Sequence, residues 1–301
     1  MDSAAIRTER LSKRFGRTSA LIDLDLEITR GEVVGYLGPN GAGKTTTIRL
    51  LLGLARPTSG RAEIFGLDAH RQAAAAHRNL AYVPGEANLW PSLTGAETLN
   101  LLGHTQGRVD HRYRDSLIER FSLDPSKKVR AYSKGNRQKV LLIAAFMSRP
   151  DLLILDEPTS GLDPLMEQEF RRCVHEAREH GQTVFLSSHI LSEVEALCDR
   201  IGILRNGRLV EIGSLDAMRH LSALTVDAVF TTTVPDLSAV PGVRHASVTG
   251  RRVHLQVQGP MEPLIEALAH TGVQQLVSRE PSLEELFLAH YGSENATAGD
   301  N

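Results

Sequence analysis

Cysteine is scarce in this chain, with only Cys173 and Cys198 among 301 residues. Two cysteines cannot build a disulfide framework and they lack zinc-site spacing, so both read as free thiols in a reducing compartment. An excess of one charge is missing too. With 34 basic against 36 acidic residues, the chain has no overall pull toward nucleic acid or anionic lipid. Long apolar runs are also lacking. The charge-free stretch from Val140 to Met147 falls far short of the roughly 20 residues that a membrane span requires. The N-terminal stretch MDSAAIRTERLSKRFG has no apolar segment of the secretory type. The expectation is a soluble chain whose only route to a membrane is a partner.

What is present is enough apolar sequence, 41%, to bury a core, and a length that suggests one large domain plus a smaller one. Glu32 to Leu37 reads as a buried strand, and Lys44 to Leu52 as a helix stopped at Gly53. Helical patterns fill Thr94 to Phe121 and Asn136 to Met147. The apolar run Leu152 to Leu155 reads as a second buried strand. A helix over Leu165 to His180, a strand over Thr183 to Ser187 and a helix over Ser192 to Cys198 follow. Such alternation predicts an α/β core with a mainly parallel sheet. Past Gly213 the pattern changes to short β-rich runs, TVDAVFTT, VRHASV and RVHLQV, with a hairpin around Gly250. A helix over Met261 to His270, a strand at QQLVS and a terminal helix at SLEELFLAHYG complete a small α+β domain, for which a ferredoxin-like arrangement is a candidate. The expected division is 1–213, 214–292 and a polar tail, 293–301.

Gly38-Pro39-Asn40-Gly41-Ala42-Gly43-Lys44-Thr45 fits the phosphate-loop pattern in full, between a strand and a helix. Its glycines let successive N–H groups turn inward on phosphate oxygens, and the following helix adds its positive end. Lys44 can reach the β- and γ-phosphates of ATP, and the Thr45 hydroxyl can ligate magnesium. The second buried strand delivers Asp156 and Glu157 to the carboxyl edge of the sheet, where ligands of open α/β sheets gather. Asp156 would hold the magnesium through water, and Glu157 would polarise the attacking water.

Together with three further motifs, these residues resemble the nucleotide-binding subunit of an ABC transporter, over about residues 5 to 215. Tyr132-Ser133-Lys134-Gly135-Asn136 stands where that family has its LSGGQ signature. Ser160-Gly161-Leu162-Asp163 matches the D-loop. His189 matches the switch histidine, and Phe15 the aromatic that stacks on adenine. The resemblance implies a phosphate-loop core with a helical subdomain inserted at about 86–150. It adds Thr46, Ser133, Gly135 and Asn136 to the nucleotide contacts and His189 to Glu157 and Lys44 as catalytic groups. Ser133 can cap the helix that begins near Asn136 and aim its N-terminus at an anion. In the family that anion is the γ-phosphate held by an opposite subunit, so the resemblance implies a homodimer or a paired ATPase subunit around two ATP molecules. Phe15 and His189 are also open to plain packing or capping roles.

By the same resemblance the partner is a separate membrane permease, the location the cytoplasmic face of the cell membrane, and the cofactors ATP and Mg2+. No nucleic-acid partner is expected. The YSKG-type signature and the C-terminal extension are similar to those of ABC-2-type exporters of drugs and antibiotics. Two other classes stay open: a soluble ATPase of this family acting on ribosomes or DNA, and an importer subunit. One departure stands out. Gly85, followed by Glu86, occupies the place of a family glutamine that touches magnesium and links to the membrane partner. Trp90, the sole tryptophan, lies just beyond, either at that interface or packed in the helical subdomain.

Overall fold

A computed structural model of the chain describes residues 4–107, 109–220, 224–269 and 271–279. The chain divides into two compact units, Met1–Ile212 and Gly213–Asn301.

The first unit opens with two long antiparallel strands, β1 (Ala4–Phe15) and β2 (Thr18–Thr29). Neither was expected from the sequence. In β2, Leu24, Leu26 and Ile28 are buried while Asp23, Asp25 and Glu27 are exposed, the period-two pattern of a half-buried strand. In β1 that pattern is broken. Arg10 takes a left-handed φ of 42°, and the pairing with β2 shifts register between Thr8 and Leu11. The chain continues as β3 (Val33–Leu37), α1 (Lys44–Leu51), β4 (Ser59–Ile64), β5 (Leu67–Asp68), α2 (Ala73–Ala76) and β6 (Leu80–Val83). Three helices follow, α3 (Gly95–Gln106), α4 (His111–Arg120) and α5 (Lys134–Met147). The helical stretch read over Thr94 to Phe121 is thus two helices. The break comes at Gly107, which caps α3 with a left-handed φ of 71°. Then come β7 (Leu152–Asp156), α6 (Pro164–Glu179), β8 (Thr183–Ser188), α7 (Leu191–Leu197), β9 (Arg200–Arg205) and β10 (Arg208–Ser214).

These strands make two sheets, a four-stranded one in the order β2-β1-β4-β5 and a six-stranded one in the order β10-β9-β3-β8-β7-β6. In the larger sheet the pairs β3–β8, β3–β9, β7–β8 and β6–β7 are parallel. β3 and β7 are buried at every residue, as expected of parallel strands covered on both faces. One apolar cluster joins α1 to both sheets through Ile48, Leu51, Leu24, Ile28, Tyr36 and Phe185. A second joins the other side of the parallel sheet to α5 and α6 through Val140, Leu142, Phe146, Phe170 and Leu155. Each such side chain, fully removed from water, contributes roughly 1.5–3 kcal/mol. Their joint effect is to fix the carboxyl ends of β3, β7 and β8 side by side. None of the described helices is long and apolar enough to cross a membrane.

The second unit starts with α8 (Leu215–His220), then β11 (Leu224–Phe230), β12 (Val243–Thr249), β13 (Arg252–Val257), α9 (Glu262–Leu268) and β14 (Val273–Arg279). The strand order is β12-β13-β11-β14, with all three pairings antiparallel. Gly250, at φ 62°, and Arg251 form the turn between Thr249 and its partner Arg252. The order is that of a ferredoxin-like sheet, but residues 231–242 run as turns and loop where that arrangement has its first helix. Val226, Phe230, Leu255 and Leu264 close its core. The terminal helix read at 282–292 and the tail at 293–301 lie outside the described residues.

Candidate nucleotide site

The phosphate loop runs from the end of β3 into α1. Gly41 and Gly43 hold φ of 83° and 114°, values that side-chain-bearing residues rarely adopt. Space matters as much as torsion. A Cβ on Gly43 would lie 2.6 Å from the Ala20 carbonyl of β2, and one on Gly38 would lie 2.7 Å from the Leu204 carbonyl of β9. Both sheets therefore press on the loop. Pro39, Asn40, Gly41, Gly43, Lys44, Thr45 and Thr46 line a cavity of about 210 Å³ with Ala20 and Glu157. Ala42 is buried behind it and packs in the core.

Lys44 is buried, yet its ammonium is well satisfied. Nζ donates to the Gly38 carbonyl at 2.6 Å and stands 3.3 Å from Glu157 Oε1. Thr45 Oγ1 donates to Asp156 Oδ2 at 3.1 Å, and Ser187 Oγ donates to the other carboxylate oxygen, Oδ1, at 2.5 Å. The adjoining strands β7 and β8 thus lock the buried Asp156 carboxylate against the first turn of α1. Nearby Tyr82 has its hydroxyl pushed up to about 12 by burial, with the Asp156 charge adding to the effect.

Glu157 follows directly and has a left-handed φ of 49°. A non-glycine residue held there stores about 1–3 kcal/mol of strain, a cost that clusters at functional sites. Its N–H donates to the Ser187 carbonyl at 3.0 Å, its own carbonyl accepts from Ser160 N–H at 3.1 Å, and His189 Nδ1 meets its Oε2 at 2.5 Å. The structure therefore brings Lys44, Thr45, Asp156, Glu157 and His189 into one cluster.

The signature residues are not part of it. Ser133 caps α5, accepting from Asn136 N–H at 3.2 Å, but no residue from 132 to 136 lines the phosphate-loop cavity. The start of α5 instead abuts the D-loop. A Cβ on Gly135 would lie 2.4 Å from the Gly161 carbonyl, Lys134 Nζ donates to Ser160 Oγ at 2.9 Å, and Gln138 Nε2 donates to the Pro158 carbonyl at 3.0 Å. Phe15 is 52% exposed at the end of β1, with Lys13 Nζ 4.9 Å above its ring. It is not a core aromatic.

The sequence profile described as ABC transporter matches residues 21–160. The bacitracin transport ATP-binding protein BcrA of Bacillus licheniformis is 32% identical over 308 aligned positions, covering 96% of this chain and 98% of its own length. The chain belongs to the ATP-binding proteins of ABC transporters. The daunorubicin resistance ATP-binding protein DrrA3 of Streptomyces coeruleorubidus is 36% identical, with 96% of both chains covered. Among solved structures, an ATP-binding subunit of an ABC transporter superposes with a TM-score of 0.68 at 35% identity, over 71% of this chain and 92% of that one. A bacterial Atm1-family ABC exporter with ATP bound gives 0.64 at 26% identity, over 73% of this chain and 40% of that one. This ABC protein is accordingly an ATP-binding ATPase.

Three features of this ABC ATPase stand apart from the clustered motifs. Gly85 has an unexceptional φ, and a Cβ there would meet the Asp156 carbonyl at 3.4 Å and Glu157 Cβ at 3.7 Å. Glu86 is exposed, and Trp90 is 48% exposed in the segment before α3. Glu193, which sequence reading passed over, lies buried behind His189. Its only sequence signal was an acid four residues past His189 on a helix, where an exposed carboxylate is the ordinary expectation.

Proposed function

We propose that the chain is the ATP-driven motor of an export system, closing as a dimer around two ATP molecules to drive a separate membrane permease. The observation that carries this reading is the half-built site. The phosphate loop and Glu157 line one small cavity, with Asp156 bonded to Thr45 and His189 bonded to Glu157 beside it, while the capped N-terminus of α5 is not part of that lining. At about 210 Å³ the cavity is smaller than the roughly 300–1,000 Å³ of ordinary ligand pockets. A second subunit supplying Ser133, Gly135 and Asn136 completes it. There the exposed N–H groups of α5 meet the γ-phosphate.

The side chains divide the work. The loop amides from Asn40 to Thr46 and Lys44 hold the phosphates, and Phe15 stacks on the adenine. Glu157 accepts a proton from the attacking water, and His189 orients that carboxylate and the γ-phosphate. Thr45 Oγ1 and the Asp156 carboxylate form an oxygen-only donor set suited to Mg2+. No group of three or more His, Cys, Asp or Glu able to hold a metal occurs among the described residues. Thr45 and Asp156 would hold the ion there, and it would supply charge neutralisation on the β- and γ-phosphates.

BcrA and DrrA3 carry bacitracin transport and daunorubicin resistance in their names, and alignment over nearly the whole chain extends an antibiotic-export role to this one. Its place is the inner face of the cell membrane, attached through the permease. Trp90, exposed beside the Gly85 segment, is an anchor for that contact. The second unit is an accessory module for assembly or regulation. Inverted vesicles containing the permease test the reading. ATP should drive accumulation of an amphiphilic antibiotic with the wild-type chain and not with Lys44→Ala. Cosedimentation with ribosomes or DNA, and none with permease-containing membranes, would contradict it.

A further inference from the structure

Glu193 lies on α7 and is 3% exposed. Ser188 Oγ donates to its Oε2 at 2.7 Å, and that same hydroxyl accepts from Ile190 N–H at 3.0 Å. One carboxylate thereby fixes one hydroxyl, and that hydroxyl joins the two residues on either side of His189. The His189 ring, itself 56% exposed, rests on Glu157 Oε2 through Nδ1. Thr159, two residues past Glu157, faces the same Glu193 carboxyl and favours its charged form. Glu193 therefore holds, through Ser188, the loop that carries His189.

Its placement is costly. Burial raises its pKa, and the charges of Glu157 and Glu167 add to that, against the Ser188 and Thr159 hydroxyls. Its second oxygen, Oε1, is buried without a hydrogen-bond partner, a state that costs the desolvation of that oxygen with nothing in return. Helix stability does not explain it, since an acid in the first turn serves as well in water, where it interacts with the helix dipole at no desolvation cost. The explanation left is geometric. A histidine that must approach a strained glutamate from an exposed loop requires that loop to be held from behind.

We propose that Glu193 is a positioning residue that sets His189 against Glu157 by way of Ser188. The inference rests on Glu157 and His189 acting at the γ-phosphate, and its test separates the two ideas. Single-turnover ATP hydrolysis and ATP affinity are measured on the full chain for Glu193→Ala, Glu193→Gln, Ser188→Ala and His189→Ala, and for Glu193→Ala combined with His189→Ala. A misplaced reacting group costs up to about 100-fold, so Glu193→Ala and Ser188→Ala should each slow hydrolysis by about 10- to 100-fold. ATP affinity should stay within about twofold of wild type in both, the signature of an interaction used only in the transition state. Glu193→Gln keeps an oxygen for Ser188 and should recover most of the rate. Once His189 is gone, losing Glu193 should cost less than about twofold more, because residues acting as a unit are not additive.

Wild-type hydrolysis in His189→Ala would defeat the reading of the site itself. Slow hydrolysis in His189→Ala with a normal rate in Glu193→Ala would leave that reading intact and overturn the inference. Full additivity of the two changes would overturn it as well. Should Glu193→Ala fail to fold, Ser188→Ala decides, and a normal rate in it counts against the proposal.

Discussion

Lys44 Nζ stands 3.3 Å from Glu157 Oε1 while donating to the Gly38 carbonyl at 2.6 Å. The cation that is to meet phosphate and the carboxylate that is to meet water are thus held together. In the proposed function, nucleotide entry would exchange that pairing for Lys44 on phosphate and free the Glu157 carboxylate to face outward. Lys44→Ala removes a charge-assisted bond of about 1.5–3 kcal/mol. ATP affinity by calorimetry should fall by about 10- to 150-fold, and unchanged affinity would refute the role.

Gly85 stands where the family has glutamine, and the space around it decides what a side chain would do there. A Cβ meets the Asp156 carbonyl at an ordinary 3.4 Å, and the backbone φ is unstrained. Gly85→Gln should fold with a stability change within about 0.5 kcal/mol. Its magnesium requirement should be equal to that of wild type or lower. Glu86 is exposed, so Glu86→Ala should leave hydrolysis and its magnesium dependence nearly unchanged. Steady-state ATPase across a magnesium titration reads both. A steep loss in Glu86→Ala would place that carboxylate in the site.

Gly135 is tied to the D-loop by want of room, its would-be Cβ lying 2.4 Å from the Gly161 carbonyl. Gly135→Ala must shift the start of α5 or the D-loop. ATP binding to the single chain, which uses the phosphate loop, should be kept, while ATP-dependent association and hydrolysis should fall by about 100-fold, as for a misplaced reacting group. Equal loss of binding would mean that the change had unfolded the domain.

Much of this site was legible in the residues. The phosphate loop has a fixed length and glycines that local backbone geometry demands, and Asp156-Glu157 ends an unbroken apolar strand. What escaped notice depended on tertiary contacts. Strand β1 carries a left-handed Arg10 and a register shift that erase its period-two signal, whereas Leu24, Leu26 and Ile28 of β2 did alternate and could have been read. Glu193 looks from sequence like a solvated helix acid. Its burial, and its bond to Ser188 at the end of β8, exist only in the folded chain. The separation of Ser133 from Lys44 is likewise invisible in linear order.

Arg120, on α4, is bonded to α6 through Glu169 at 2.5 Å and Glu176 at 2.7 Å, and Tyr113 also donates to Glu176 at 2.7 Å. Glu169 is only 8% exposed, so Arg120→Met leaves a buried acid with the more exposed Arg172, 3.2 Å away, as its remaining cationic partner. Fully buried cases cost about 3–5 kcal/mol; Arg120 is partly solvated, and about 2 kcal/mol is expected. Burial alone would raise the Glu176 pKa, but the Arg120 and Tyr113 bonds outweigh it and hold the group below the usual range. A lowered folded-state pKa gives stability that is present above the ordinary glutamate pKa and lost as pH falls through the folded value. Melting temperatures of wild type and Arg120→Met should therefore differ most at neutral pH and converge below about pH 4. A gap that stays constant into acid would argue against the ion pair.

The central claim, that two chains close on ATP and that Glu157 ends the closed state by activating water, is tested most directly by size-exclusion chromatography with ATP and magnesium. Removing a general base commonly slows hydrolysis by about 10²–10⁴-fold, so Glu157→Gln should bind ATP normally and elute as a dimer. Lys44→Ala should elute as a monomer under the same conditions. Equal elution of the two variants, or a Glu157→Gln chain that turns over ATP at the wild-type rate, would contradict the account.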